Sequence, residues 1–214
     1  MKNKIKIVIL IVVILFCIVL INNIINNEDN KIENKDKIEF SKLYDVDEDN
    51  VFEKMSAEGA ANLVENGTGI LYLGYTNCPW CQDLVPLLNK VAKNNNINSV
   101  YYIEDFYDMR PDKSANPKHN TEYNKIVSKI EEYENKTGES IKEDNIIRVP
   151  LVLFIKSGEI VGYQLGTVDE HEITKDENNN YTLRDLTEDE INTINKKLEN
   201  LIHKIYSNAC SSGC

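Results

Sequence analysis

Basic residues are in short supply in this 214-residue chain: Lys and Arg total 24 against 35 Asp and Glu, for a net charge of −11. Lys2, Lys4 and Lys6 are the only charges in the first 27 residues, so setting them aside leaves −14 for everything that follows. A surface that acidic repels nucleic acid and anionic headgroups, and nucleic-acid partners are not expected. Histidine is scarce too. His119, His171 and His203 are scattered through polar or helical settings, no His–Cys ligand cluster forms in the sequence, and the three read as surface residues. Cysteine occurs five times, at 17, 78, 81, 210 and 214, too sparsely to staple a fold with disulfides. Four of the five form two close pairs, and such pairs point to redox or metal chemistry. No internal repeat occurs.

What the chain does have is a distinctive beginning. Three lysines precede an unbroken apolar run from Ile7 to Ile21, extended by Ile24 and Ile25. A run of about 15 residues is short for a bilayer that needs about 20, but snorkelling lysines and interfacial asparagines extend it. No small-residue cleavage site follows, and Leu15 and Phe16 before Cys17 do not suit lipidation. Residues 1–27 therefore read as an uncleaved signal anchor, with a cleaved signal peptide as the alternative. The positive-inside rule places the lysines in the cytoplasm and the remainder outside. Residues 28–37 read as a polar tether, 38–208 as one α/β domain with an insertion over 104–145, and 209–214 as a cysteine-bearing tail.

Within the domain, Phe40, Leu43, Tyr44, Val51 and Phe52 suggest one or two opening strands. Ser56 is positioned to cap a helix that Asn66-Gly67 stops. Ile70 to Tyr75 reads as a buried central strand, Leu84 to Ala92 as an amphipathic helix, and Val100 to Ile103 as another strand. Asn120 or Thr121 is positioned to cap a helix with an apolar stripe from Tyr123 to Tyr133. Val149-Pro150 introduces a strand over 151–155, and Ser157-Gly158 turns it back over 160–165. Thr167 to Asp185 reads as an exposed loop. Thr187-x-x-Glu190 is a capping box that opens the last helix.

Cys78-Pro79-Trp80-Cys81 lies between the central strand and the next helix. That setting puts the first sulfur beside unpaired N–H groups and the positive end of a helix dipole, which favours thiolate. Pro79 suits the first turn, and Cys81 can reach back to close a disulfide or resolve a mixed one. Cys78 is expected to be the exposed attacker and Cys81 the buried resolving thiol. A bare CxxC also suits zinc. The apolar strand before it, the proline inside it, the amphipathic helix after it and Val149-Pro150 farther on make the combination specific.

This constellation resembles the thioredoxin superfamily, which implies a thioredoxin-like fold and a thiol–disulfide oxidoreductase. The resemblance implies a cis peptide at Pro150, with the Val149 backbone and Trp80 contacting substrate. Gly74-Tyr75-Thr76-Asn77-Cys78-Pro79-Trp80-Cys81, followed by Leu84, Val85 and Pro86, is similar to the thioredoxin-like bacteriocin-transport accessory proteins. Those are exported or membrane-linked proteins of Gram-positive bacteria associated with disulfide handling. Two departures stand out. Tyr72 stands where typical thioredoxins carry a buried aspartate, and Pro79-Trp80 resembles the CPxC type of glutaredoxins and DsbA-like proteins. That group includes reductants and strong oxidants, so the resemblance implies the exchange and not its direction.

The partners implied are exported proteins bearing thiols or disulfides, with a membrane electron donor or acceptor. No cofactor or metal is expected. A metal-binding module and a non-catalytic transporter adaptor are the competing readings. Arg148 and the acidic Glu104, Asp105 and Asp108 are candidates to lie near the sulfurs, with opposite effects on the thiolate. Cys210 and Cys214 read either as a second redox pair or as an incidental terminal pair. A last helix of about 30 Å and a tail reaching about 20 Å would keep them away from Cys78 within one molecule.

Overall fold

The computed structural model describes residues 14, 16–18, 35–175 and 181–206, with 181 and 182 as backbone alone. The expected anchor and tether fall almost entirely outside the described residues, and the tail with Cys210 and Cys214 wholly so. Among the described residues, no helix is long and apolar enough to cross a membrane.

The chain is α/β, with a mixed sheet flanked by helices. Its first described element in the domain is a helix, α1, over 35–43, where the sequence suggested strand. Phe40 and Tyr44 are four apart and both buried, so helical spacing delivers them to the core while Lys42 stays exposed. Strand β1 (Phe52–Lys54) follows, then helix α2 (Ala57–Asn66), whose Ser56 side chain accepts the Gly59 N–H. Strand β2 (Gly69–Leu73), helix α3 (Pro79–Asn94) and strand β3 (Val100–Tyr102) complete the first half.

The expected insertion contains a short helix α4 (Phe106–Met109), helix α5 (Asn120–Thr137) and strand β4 (Lys142–Glu143). His119, not Asn120 or Thr121, caps α5, with a left-handed φ of 50°. Strand β4 pairs with β5 (Ile146–Ile147) in a miniature hairpin. Strands β6 (Leu151–Lys156) and β7 (Glu159–Leu165) form the expected hairpin. Ser157 and Gly158 turn it with φ of 52° and 76°, the doubly left-handed geometry that suits the twist of paired strands. A Cβ on Gly158 would lie 2.1 Å from the Glu65 carbonyl oxygen, because this turn packs against the end of α2.

Strands β8 (Ile173–Lys175) and β9 (Tyr181–Leu183) then pair antiparallel within the segment that the sequence suggested was loop. The last helix, α6 (Glu188–Tyr206), starts at the expected capping box. The Thr187 N–H donates to Glu190 Oε2 at 2.8 Å, and the Glu190 N–H donates to Thr187 Oγ1 at 3.3 Å.

The five-stranded sheet has the order β1-β3-β2-β6-β7. Strand β3 runs parallel to both β1 and β2, and the β6–β7 pair joins β2 antiparallel with Leu73 opposite Leu151. Alternation sends β2 and β6 side chains into two cores. Ile70, Tyr72, Val152 and Phe154 meet α1, α3 and α6 on one face. Leu71, Leu73, Leu151 and Leu153 meet α2, α4 and α5 on the other. Both strands are thus buried on both sides, which is why they read as continuous apolar runs. The consequence for the site is positional. Where β2 leaves the sheet at Leu73, the chain turns through 74–77 into α3, beside the start of β6.

Candidate active site

Cys78 is the N-cap of α3 and Pro79 its first residue. The Cys78 carbonyl accepts the N–H groups of Cys81 and Gln82, at 3.0 and 3.2 Å, and so starts the helix. Its sulfur faces the N-terminal end of that helix. Both cysteines are free thiols, Cys78 5% exposed and Cys81 fully buried. The attacker expected to be exposed is thus recessed, though less so than its partner.

The two thiols differ in acidity for identifiable reasons. The Cys78 pKa is lowered, chiefly because Cys81 donates a hydrogen bond to it. Burial opposes this, and the backbone N–H groups of Cys81 and Trp80 and the charge of Arg110 assist it. The Cys81 pKa moves the other way, raised by burial, by the bond it donates to Cys78 and by the Cys78 charge. The Tyr75 N–H and the Tyr72 hydroxyl reduce that rise by donating to its sulfur. One thiol is poised to ionise and the other to keep its proton.

Arg110 is the residue that reading the sequence missed. It follows α4, is 6% exposed, and its guanidinium lies 5.6 Å from the Tyr75 ring centroid. Asp112 holds it through two 2.9 Å bonds. Arg148, the cation expected near the sulfurs, is directed elsewhere: it donates to the carbonyls of Ile141 (3.2 Å) and Ser140. Of the acids expected at this end, Glu104 pairs with Lys54, and Asp105 and Asp108 pair with Lys118.

Trp80 is half-buried against the core that contains both cysteines, and its indole N–H donates to the His171 carbonyl at 2.8 Å. His171 is buried, which corrects the expectation of a surface residue in an exposed loop. Its Nε2 lies 2.7 Å from the Arg184 carbonyl and therefore carries a hydrogen, and Thr167 Oγ1 lies 2.6 Å from Nδ1. Thr167, His171 and the Arg184 carbonyl are thereby tied together beside the Pro-Trp end of the motif. Asp83 approaches His171 Nε2 at 3.6 Å, and burial raises its pKa while His171 lowers it. His119 and His203 are exposed, as expected.

The Val149–Pro150 peptide is cis. Pro150 is buried, Val149 is half-buried, and the Pro150 carbonyl accepts the Gly166 N–H at 2.8 Å. With Leu151 opposite Leu73, this peptide lies at the end of the sheet from which the cysteine loop departs. Fold topology therefore gathers Cys78, Cys81, Trp80, Val149 and Pro150 at one edge. Among the described residues, no group of three or more His, Cys, Asp or Glu is arranged to hold a metal.

Tyr72 occupies the core directly beneath Cys81. Its hydroxyl lies 3.1 Å from that of Tyr44 and is hydrogen-bonded to the Cys81 thiol. Chemically, the arrangement supplies a stabilised thiolate, a protonated thiol within bonding reach and an open strand end beside them. No family model matches the chain, and no curated protein matches it.

Proposed function

We propose that this chain is a thiol–disulfide oxidoreductase of the thioredoxin superfamily, similar to the bacteriocin-transport accessory proteins and held at the membrane by residues 1–27 with its domain outside the cytoplasm. It exchanges disulfides with exported proteins. Cys78 thiolate attacks a substrate disulfide and forms a mixed disulfide while one substrate thiolate leaves. Cys81 then attacks the Cys78 sulfur, closes the Cys78–Cys81 disulfide and releases the second substrate thiolate. Two electrons pass to the substrate, and the reverse sequence oxidises a dithiol.

The observation that carries this reading is a pair of free thiols at the N-terminus of α3, Cys78 as the N-cap and Cys81 buried in the first turn. A metal module would need further ligands, and an adaptor would have no use for the second thiol. The sheet order β1-β3-β2-β6-β7 and the cis Val149–Pro150 peptide beside the motif further support a thioredoxin-like fold. The half-buried Val149 offers its backbone for pairing with an extended substrate segment.

An insulin-reduction assay tests the activity, and a Cys81→Ser variant tests the route. Turnover by the unmodified protein is expected, together with accumulation of Cys78-linked secreted proteins in the variant. Neither turnover nor adduct would refute the enzyme reading.

A further inference from the structure

The loop of residues 74–77 that delivers Cys78 to α3 is also one wall of a half-open cavity of about 160 Å³. Tyr44, Tyr72, Tyr102 and Tyr107 stand around the rest of it, and Glu104 is the one charged residue among those that line it. A cavity of about 150 Å³ admits a group the size of benzene, so this one has room for an amino-acid side chain. Tyr44 and Tyr72 bond to each other at 3.1 Å. Tyr102 differs: it is 8% exposed, and its hydroxyl has no hydrogen-bond partner among the described residues.

The charge beside Tyr102 is mostly of one sign. Burial raises its pKa first, and the charges of Asp36, Glu104 and Glu39 raise it further. Lys54 is the cation at this rim, held by Glu104 Oε2, and a carboxylate can accept several donors. Arg110 reaches the Tyr75 ring without lining the cavity, and Asp112 pairs with it.

We propose that this cavity is a substrate subsite for the side chain of a lysine or arginine close to the reacting cysteine. This use of the cavity rests on the oxidoreductase reading above and gives it a substrate class, proteins with a basic residue beside the cystine. The aliphatic stem of the guest lies along the tyrosine rings, whose faces attract cations. Its charged head donates to the Tyr102 oxygen and to the Glu104 carboxylate. A glutamate would meet Glu104 with like charge, and an apolar guest would leave the Tyr102 hydroxyl unpaired. Reach limits the position. An extended peptide advances about 3.3 Å per residue and a lysine has a four-carbon stem, so the basic residue lies one or two positions from the cysteine.

The test uses the full chain in detergent and single-cysteine peptides carried as mixed disulfides with thionitrobenzoate, whose release is coloured. Lysine is scanned through the three positions on either side of the cysteine, against norleucine and glutamate, and the rates of a Cys78→Ser variant are subtracted. Lysine one or two positions away is expected to give kcat/KM about tenfold above norleucine, chiefly through KM, the worth of one such cation contact. Lysine placed farther away should give no such gain, which separates the subsite from attraction to the acidic surface at large. Glu104→Gln and Tyr107→Leu, both at exposed side chains, should reduce the ratio of lysine to norleucine. Tyr102→Phe should reduce it too without lowering folding stability, since the hydroxyl lost has no partner in the fold. Equal kcat/KM for the three residues at every position would overturn the subsite, as would a lysine preference that all three variants retain. Release from no peptide at all would instead overturn the oxidoreductase reading itself.

Discussion

Replacing Cys81 by alanine should make Cys78 a weaker acid by an amount the site geometry sets. The Cys81 thiol is the largest contributor to the lowered Cys78 pKa, ahead of two backbone N–H groups and Arg110. A hydrogen bond to a charged group is worth about 1.5–3 kcal/mol. One pKa unit corresponds to about 1.4 kcal/mol, so Cys81→Ala should raise the Cys78 value by about one to two units. At any pH below the folded Cys78 value the thiolate fraction would fall about tenfold to a hundredfold. Cys81→Ser keeps an O–H donor and should shift the value less. The assay is the pH dependence of iodoacetamide alkylation at Cys78, located by peptide mass. Folding stability gives a second readout with a definite sign. A depressed folded value stabilises the reduced protein fully above the unfolded thiol value of about 8.5, and that stabilisation is lost as pH falls through the folded value. Cys81→Ala should narrow the window. An alkylation profile that superimposes on that of the unmodified protein would refute the reasoning.

Arg110→Gln should raise the Cys78 pKa by less than Cys81→Ala, since its charge ranks below the hydrogen bonds to the thiolate; the same alkylation profile checks this, and an equal or larger rise would contradict it. Phe40→Ala removes a buried ring stacked on Phe52 at 4.2 Å and Tyr44 at 4.7 Å, and denaturant unfolding should show a loss of about 3–5 kcal/mol. A negligible loss would mean that α1 does not seal the core. Arg184 and the Thr187 N–H hold the Glu190 pKa down to about 2. Because the folded value is depressed, its contribution is present above the unfolded carboxylate value of about 4.3 and is lost as pH falls toward about 2. Arg184→Met should move the Glu190 titration, followed by NMR, back toward the ordinary range.

Local signals were legible in the sequence wherever one residue type meets one backbone requirement. Ser56 caps α2, Thr187 and Glu190 form the capping box, and the Ser157-Gly158 turn joins β6 to β7, all as expected. Placement of the CxxC at the start of a helix after a buried strand follows from the same kind of signal. Helix α1 was not legible, because a few apolar residues in a charged run carry aromatic content that suggests strand. Its helical spacing becomes decisive only once Phe52 and Tyr102 are present to receive Phe40. Thr167 and His171 hid their burial for a different reason. They satisfy one another and the Arg184 carbonyl, so two polar side chains lie inward from an otherwise exposed stretch. Arg110 and Arg148 exchanged roles because side-chain direction depends on long-range packing. Carbonyls of Ile141 and Ser140 capture one, while Asp112 and the Tyr75 ring hold the other near Cys78.

Equilibrating the protein with graded ratios of reduced to oxidised glutathione, then mapping its disulfides, tests the central claim most directly. The account predicts one two-electron transition in which Cys78 and Cys81 pass together from dithiol to a disulfide joining them. Independent glutathionylation of the two sulfurs, with no Cys78–Cys81 bond at any ratio, would contradict it.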